Sequence, residues 1–155
     1  HLRAEPFFEL TQRFDEAKKR WGIREIADRL SNRGKAVLVE HTERQALLTD
    51  CMTMCKNIGL STDVLDFDLG ADLLSAGTGL DFNTDRLDKG LRGIIDVDRK
   101  LNIGFGIGPD ADTLPHRFTH EPLAEGPSKG ETVPVKRMVK QYYRLRGWDD
   151  RGNPE

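Results

Sequence analysis

The sequence predicts an all-α fold, a multihelical domain with a long loop rich in glycine and proline before its last helix. Apolar residues recur at helical spacing in several segments. Glycine or proline stands between most of these segments, where it ends one helix and lets the chain turn before the next. The stretch 36–57 contains neither residue, which favours one long helix there.

The first half of the chain contains three predicted helices. Residues 7–21 form the first, which ends at Gly22, and residues 23–30 form a short second one. The third covers 36–57, although its opening letters, AVLVE, also fit a strand. Gly59 is the expected end of this long helix.

Two more helices are predicted in the middle of the chain. Residues 61–66 look like a capped turn, and a short apolar helix follows at 69–76. Thr84 is a good N-cap for the next helix, and Asp85 suits its first turn. Apolar residues then continue at helical spacing as far as Leu101, so this helix is clearly amphipathic.

Residues 102–134 differ from the rest because they are rich in glycine and proline and have almost no periodicity. A loop of this length in a compact domain is usually functional or lies over another surface. Pro134 then opens the last helix, which Gly147 caps. We see no internal repeat and no interdomain linker, so we expect residues 1–155 to form a single helical domain.

The composition excludes several classes of protein. The chain has 155 residues, 37% hydrophobic and 32% charged, with a formal net charge of −2, which gives no electrostatic case for nucleic acid or an anionic membrane. No apolar run approaches the roughly 20 residues of a membrane span, and the N-terminus lacks a signal-peptide layout. Two cysteines are too few for a secreted disulfide framework. We therefore expect a cytoplasmic protein.

The two cysteines, Cys51 and Cys55, are four residues apart, which would place them on one face of a helix. The simplest interpretation is a pair of small buried apolar residues. A zinc site with His41 and Asp50 fits no familiar spacing, and a [4Fe–4S] cluster needs about four ligands. Asp50 either binds a partner, because an unpaired buried charge is costly, or faces solvent.

Other patterns in the chain are weak. Each of His41, His116 and His120 is isolated in sequence and is more typical of a structural or surface histidine. The glycines of GFGIG do not have the spacing of a dinucleotide fingerprint, and the EGPSKG stretch around Lys129 lacks that of a phosphate loop. Pattern alone indicates a helical domain with a partial metal site.

The C-terminal third contains a series of short motifs in a fixed order. Their residues are Leu114, Pro115, Arg117, Glu121, Pro122, Leu123, Gly126, Pro127, Lys129, Gly130, Tyr142, Tyr143, Arg146, Gly147, Trp148, Asp149, Gly152 and Pro154. This series resembles the closing segment of the tungsten-containing aldehyde:ferredoxin oxidoreductase family, which reads Leu-Pro-x-Arg, Glu-Pro-Leu, Gly-Pro-x-Lys-Gly, Tyr-Tyr-x-x-Arg-Gly-Trp-Asp and Gly-x-Pro.

The resemblance continues upstream. LLSAGTGLDFNTDRL is similar to the family's Leu-x-x-Ala-x-Thr-Gly-x-Asp-x-Thr segment. NRGKAVLVEHTERQALLTDCMTMCK resembles the helix that ends in Asp-x-x-Gly-x-Cys, and HLRA at the start resembles Cys-His-Leu-Arg-Ala beside the active site. The resemblance thus covers nearly the whole chain and is patchier between residues 5 and 33.

Members of this family are much longer chains with an N-terminal domain and two helical domains, so the resemblance implies that this sequence is the last helical domain of a larger oxidoreductase. It also implies two cofactors, a tungsten ion held by two pyranopterins (molybdopterin type) and a [4Fe–4S] cluster. Both would need ligands from outside these residues. The implied partners are the remainder of the catalytic chain, ferredoxin or an electron-transfer subunit, and a small aldehyde or acyl-CoA substrate.

The resemblance assigns roles to individual residues. Cys55 aligns with the fourth cluster ligand, and Asp50 aligns with an aspartate that hydrogen-bonds a pterin, whose N–H groups suit a carboxylate. Met54 falls where the backbone contacts the pterin, and Arg3 aligns with a basic residue near it. His1 aligns with a histidine close to the tungsten, which implies a catalytic role as proton donor or acceptor.

The sequence departs from the family pattern at three places. Thr53 replaces the motif glycine, which puts the backbone approach to the pterin in doubt. Cys51 has no counterpart, so we expect it to pack in the core. Gly104 stands where members often carry an arginine, two residues after Asn102, which leaves the substrate open.

The resemblance implies an enzyme that oxidises an aldehyde to a carboxylate. Tungsten accepts two electrons, and the cluster passes them singly to ferredoxin or a partner subunit. Relatives that reduce aromatic acyl-CoA thioesters, of the benzoyl-CoA type, are the alternative. A third possibility is that the isolated 155 residues are a non-catalytic helical domain, since one cluster ligand and half a pterin site should hold no cofactor.

Overall fold

The structure is a computed structural model that describes residues 15–28, 30–56 and 65–155. It confirms the all-α prediction. Short 3-10 turns lie at Arg24–Ala27 and Pro109–Ala111. The α-helices, in chain order, are α1 (residues 15–21), α2 (Lys35–Cys51), α3 (Phe67–Thr78), α4 (Thr84–Gly104), α5 (His116–His120) and α6 (Val135–Arg146). No helix in these ranges is long and apolar enough to cross a membrane.

The chain divides into two compact units. One unit consists of residues 1–39, 107–153 and 155, and the other of residues 40–106 and 154, so the division falls within α2. That residues 1–155 form one domain stays a prediction. The predictions for residues 1–14 and 57–64 lie outside the described residues.

The predicted helix over 23–30 is wrong, because only Arg24–Ala27 form a single 3-10 turn. Asp28 leaves the helical region with extended angles, φ −75° and ψ 113°. The ammonium group of Lys35 then donates to the carbonyls of Ile26, at 2.8 Å, and Asp28, at 2.7 Å, which satisfies backbone groups that a longer helix would have bonded internally. Burial of this group lowers the pKa of Lys35, with the nearby Asp28 acting in the opposite direction.

Gly34 lets the chain turn tightly over this 3-10 turn. Its φ is +72°, a left-handed conformation that suits glycine. A Cβ atom at Gly34 would lie 2.4 Å from Cγ1 of the buried Ile26, so any side chain would displace it.

The long helix α2 is shorter than predicted, and the strand alternative for its opening residues is wrong. It begins at Lys35 and ends at Cys51, six residues before the predicted end at residue 57. The reason is a left-handed residue at position 53, described below.

Helices α3 and α4 pack with α2 in the second unit. Leu48 of α2 is fully buried, and Gly70 of α3 is so close that a Cβ there would lie 2.9 Å from Cδ2 of Leu48. Packing of apolar side chains is the main stabilisation of this unit. The buried core cluster consists of Leu48, Leu65, Ala71, Leu87 and Leu91.

Both α3 and α4 begin with side-chain caps. Asp66 accepts a hydrogen bond from the Leu69 N–H at 2.8 Å, and Asn83 accepts one from the Arg86 N–H at 2.8 Å. The prediction that Thr84 is the N-cap is therefore wrong by one residue, since the carboxamide of Asn83 reaches the N–H three residues on.

A closed ring of four charged side chains joins α2 to α4. Arg44 pairs with Glu40 at 2.9 Å and with Asp88, and Arg92 pairs with Glu40 at 2.8 Å and with Asp88 at 2.9 Å. Glu40 is buried, with 5% of its surface exposed, so its charge depends on both arginines.

The predicted loop 102–134 contains more structure than its composition indicates. Its first residues belong to α4, and it carries the turn Pro109–Ala111 and the short helix α5. The N–H of Val133 donates to the Phe118 carbonyl at 2.9 Å. This hydrogen bond holds the segment that precedes the last helix beside α5. Helix α6 then runs as predicted from Val135 to Arg146, and Gly147 ends it with φ +72°.

Candidate functional site

Three of the five predicted site residues lie within the described ranges. Asp50, Met54 and Cys55 all lie at the C-terminal end of α2. His1 and Arg3 lie outside the described residues, so their roles stay predictions.

The chain leaves α2 through a Schellman motif, a standard helix C-cap. The N–H of Met54 donates to the Thr49 carbonyl at 3.0 Å, and the N–H of Thr53 donates to the Asp50 carbonyl at 3.1 Å. These are the two bonds of the motif, in which the residue after the cap is left-handed. Asp50 is therefore in the last turn, and Cys55 directly follows the motif.

Thr53 occupies the left-handed position, with φ +53°, and it has the only positive φ among non-glycine residues of the described chain. A β-branched residue is an outlier here, and the conformation costs about 1–2 kcal/mol for an L-residue. Glycine is the usual residue at this position of a Schellman motif. Its geometry thus gives a physical reason for the glycine of Asp-x-x-Gly-x-Cys, and Thr53 keeps the same turn at a cost.

The carboxylate of Asp50 faces solvent, with 53% of its side chain exposed, and lies 3.3 Å from the ammonium group of Lys56. It stands in the last helical turn, which contains no basic residue. The negative end of the helix dipole disfavours an acidic residue there by about 0.3–1 kcal/mol. The ammonium group of Lys56 offsets part of this unfavourable charge, and the role of Asp50 as a pterin ligand stays a prediction.

The two cysteines do not share a helix face. Cys51 is the last residue of α2, whereas Cys55 lies beyond the Schellman turn. Both are exposed free thiols, so the expectation that Cys51 packs in the core is wrong. The helix ends before the i, i+4 relation can form, and the final turn directs Cys51 to the surface.

Met54 is half-buried and packs against the core cluster that contains Leu48. This contact is the hydrophobic one that often accompanies a Schellman motif. Because the Met54 N–H already bonds the Thr49 carbonyl, a ligand approaching this backbone would find an acceptor rather than a donor at Met54.

The described residues contain no group of three or more His, Cys, Asp and Glu side chains that could hold a metal ion. His41 is buried and packs edge-on against Phe67, with ring centroids 5.5 Å apart, so it does not join the cysteines. The C-terminal end of α2 and the residues directly after it offer the exposed thiols of Cys51 and Cys55 and the carboxylate of Asp50. Sequence reasoning missed two features, the Schellman turn and the Lys56 counterion, because Thr53 gives no signal of a left-handed residue.

Comparisons with known proteins identify the family of this chain. The family described as "Aldehyde ferredoxin oxidoreductase, domains 2 & 3" matches residues 1–155. Relatives named "Tungsten-containing aldehyde ferredoxin oxidoreductase" are 46% identical in Pyrococcus furiosus, 45% in Pyrococcus horikoshii and 44% in Thermococcus kodakarensis, each over 91 residues. The aligned region covers 56% of this chain and 15% of each relative.

This chain therefore spans only a small part of the length of those relatives. Because the family match includes every residue of the chain, the chain belongs to the aldehyde ferredoxin oxidoreductase family.

Proposed function

We propose that this chain is the C-terminal part of an enzyme that oxidises aldehydes to carboxylates, with a tungsten bis-pyranopterin and a [4Fe–4S] cluster as cofactors. The observation that carries the proposal is the Schellman turn after α2, which presents the carboxylate of Asp50 and the thiol of Cys55 on one short exposed segment. When bound, the tungsten cofactor supplies two-electron chemistry and the cluster supplies single-electron transfer.

Cys55 would bind one iron of the cluster. Cysteine thiolates are the usual ligands of such clusters, which take about four of them. Cys55 is exposed and free, which leaves its sulfur open to a metal. The other ligands would come from the remainder of the chain, since this segment provides no second cysteine in a matching position.

Asp50 would hold a pterin. A carboxylate only accepts hydrogen bonds, and the amino and ring N–H groups of a pterin are donors. Hydrogen bonds to an ionised acceptor are about twice as strong as neutral ones. The exposed contact with Lys56, at 3.3 Å, is weak enough for a pterin to replace it.

The remaining roles rest on the resemblance of HLRA to the family's active-site stretch. His1 would donate or accept a proton beside the tungsten, and Arg3 would lie near the pterin. The carbonyl of Met54 is the backbone group left to contact the pterin, because its N–H is already bonded.

The proposed partners are the remainder of this chain's own protein, a small aldehyde, and ferredoxin or an electron-transfer subunit. The relatives' names support tungsten and ferredoxin for this chain. We also propose a cytoplasmic location, because a reducing compartment keeps exposed thiols such as Cys51 and Cys55 free.

The proposal is tested on the full-length protein, purified without oxygen. We expect elemental analysis to find tungsten and iron, and an aldehyde to reduce a viologen dye. A parallel assay offers an aromatic acyl-CoA thioester with a low-potential donor. Turnover of the thioester without aldehyde oxidation would favour the acyl-CoA reductase branch, and a protein with neither metal would contradict the proposal.

A further inference from the structure

Helix α5 carries two histidines whose rings lie against each other. His116 and His120 are four residues apart and therefore on one face of the helix. Their rings are stacked, with centroids 4.1 Å apart and planes 3° from parallel. Both side chains are exposed, so neither ring fills a core position.

The hydroxyl group of Thr119 occupies one of the two ring nitrogens of His120. Its oxygen lies 3.1 Å from the His116 carbonyl oxygen and 2.7 Å from Nδ1 of His120. Because Nδ1 of His120 is engaged with Thr119, Nε2 is the nitrogen of this ring left to bind a metal ion.

We propose that His116 and His120 together bind a divalent transition-metal ion of the class that imidazole prefers, Zn²⁺, Ni²⁺ or Cu²⁺. Two histidines at i and i+4 on a helix are a known arrangement of metal ligands. Because the nitrogen lone pairs lie in the ring planes, both rings must turn out of the parallel stack about their Cβ–Cγ bonds to reach one ion. The hydrogen bond between Nδ1 of His120 and Thr119 is of the kind that orients metal-binding histidines.

The neighbouring charged side chains do not occupy this position. Arg117 and Glu121 are both exposed and lie 3.9 Å apart, Nε to Oε2, as a partnered couple. Water completes the coordination, as in sites with open positions. The site uses none of the residues assigned to the pterin or the cluster. The result of its test is therefore independent of the test of the proposed function.

The test is titration of the untagged full-length protein with Ni²⁺, monitored by calorimetry, with retention on immobilised Ni²⁺ as a second measurement. We expect His116→Asn and His120→Asn each to weaken Ni²⁺ binding by about 100-fold, the gain of two linked ligands over one. Thr119→Val, which keeps the shape but removes the hydroxyl, should weaken it by about 10-fold.

Arg117→Ala is the matched control, since it changes an exposed residue of the same helix without removing an imidazole. It should bind Ni²⁺ as the wild type does, and circular dichroism should show all variants equally helical. Wild-type protein that neither binds Ni²⁺ nor is retained, or histidine variants that bind like the wild type, would overturn the proposal.

Discussion

At the scale of the residue, Asp50 combines an unfavourable place for stability with a suitable place for a ligand. It lies in the last turn of α2, at the negative end of the helix dipole, and more than half of its side chain is exposed. Natural proteins break such local rules at functional sites more often than elsewhere. Activity and stability should therefore respond in opposite directions when this carboxylate is removed.

Replacement of Asp50 by alanine should lower the tungsten content and the aldehyde oxidation of the full-length protein. Loss of hydrogen bonds to a charged acceptor costs about 1.5–3 kcal/mol, or roughly a 10- to 100-fold weaker hold on the pterin. The amides of α2 should exchange no faster, because a charge unfavourable to the helix has been removed. Lys56→Ala is the control: it breaks the same ion pair and should retain tungsten, whereas equal loss in both variants would contradict the pterin role.

Thr53 leads to a second expectation at this scale. Thr53→Gly should stabilise the end of α2 by about 0.5–1 kcal/mol, because it removes a left-handed penalty of about 1–2 kcal/mol and adds about 0.4–1 kcal/mol of unfolded-chain entropy. Hydrogen exchange of the last α2 amides in the full-length protein measures this. Faster exchange in the glycine variant would show that Thr53 is not strained.

At the scale of the element, α2 is held by the charged ring of Glu40, Arg44, Asp88 and Arg92 as well as by apolar packing. Each carboxylate pairs with both arginines, so the ring has no net charge. A buried ion pair adds little to stability compared with apolar packing. Removal of one partner, however, leaves the remaining charges buried and unpaired, which costs several kcal/mol. The ring therefore fixes how α2 and α4 meet.

The sensitivity of this ring is tested by Glu40→Gln, which keeps the side chain's shape and removes its charge. We expect the free energy of opening of the α2 amides to fall by about 2–3 kcal/mol. This value is at the low end of the cost of breaking a buried ion pair, because Arg92 is 35% exposed. Glu25→Gln is the matched control, since its pair with Arg33 is exposed at 41% and 73% and should change stability by less than about 1 kcal/mol. Equal losses of stability in Glu40→Gln and Glu25→Gln would mean that burial of the ring adds nothing to its contribution to stability.

The elements could be predicted where periodicity and cap residues agree. Helices α3, α4 and α6 lie close to their predicted ranges, because glycine or a capping side chain marks their ends. The end of α2 could not be predicted, since Thr53 adopts a glycine-like conformation that its chemistry disfavours. The helix predicted over 23–30 does not form, and Lys35, which lies after that segment, donates to the Ile26 and Asp28 carbonyls at the end of the 3-10 turn.

At the scale of the whole molecule, the site could be predicted only through the family resemblance. The described part of the chain contributes two exposed thiols and the carboxylate of Asp50, and no spacing rule identifies which thiol binds a cluster. The exposure of Cys55 could not be read from the sequence either, because it depends on where α2 ends. The full-length protein is thus the object on which function has to be measured.

We expect Cys55, and not Cys51, to be a ligand of the cluster. Cys55→Ala and Cys51→Ala in the full-length protein form a matched pair, because both residues are exposed free thiols. Iron content and the electron paramagnetic resonance spectrum of the reduced protein report the cluster. We predict that Cys51→Ala retains the wild-type [4Fe–4S] signal and iron content, and that Cys55→Ala loses the signal together with part or all of the iron. A wild-type signal in Cys55→Ala would show that Cys55 is not a ligand of the cluster.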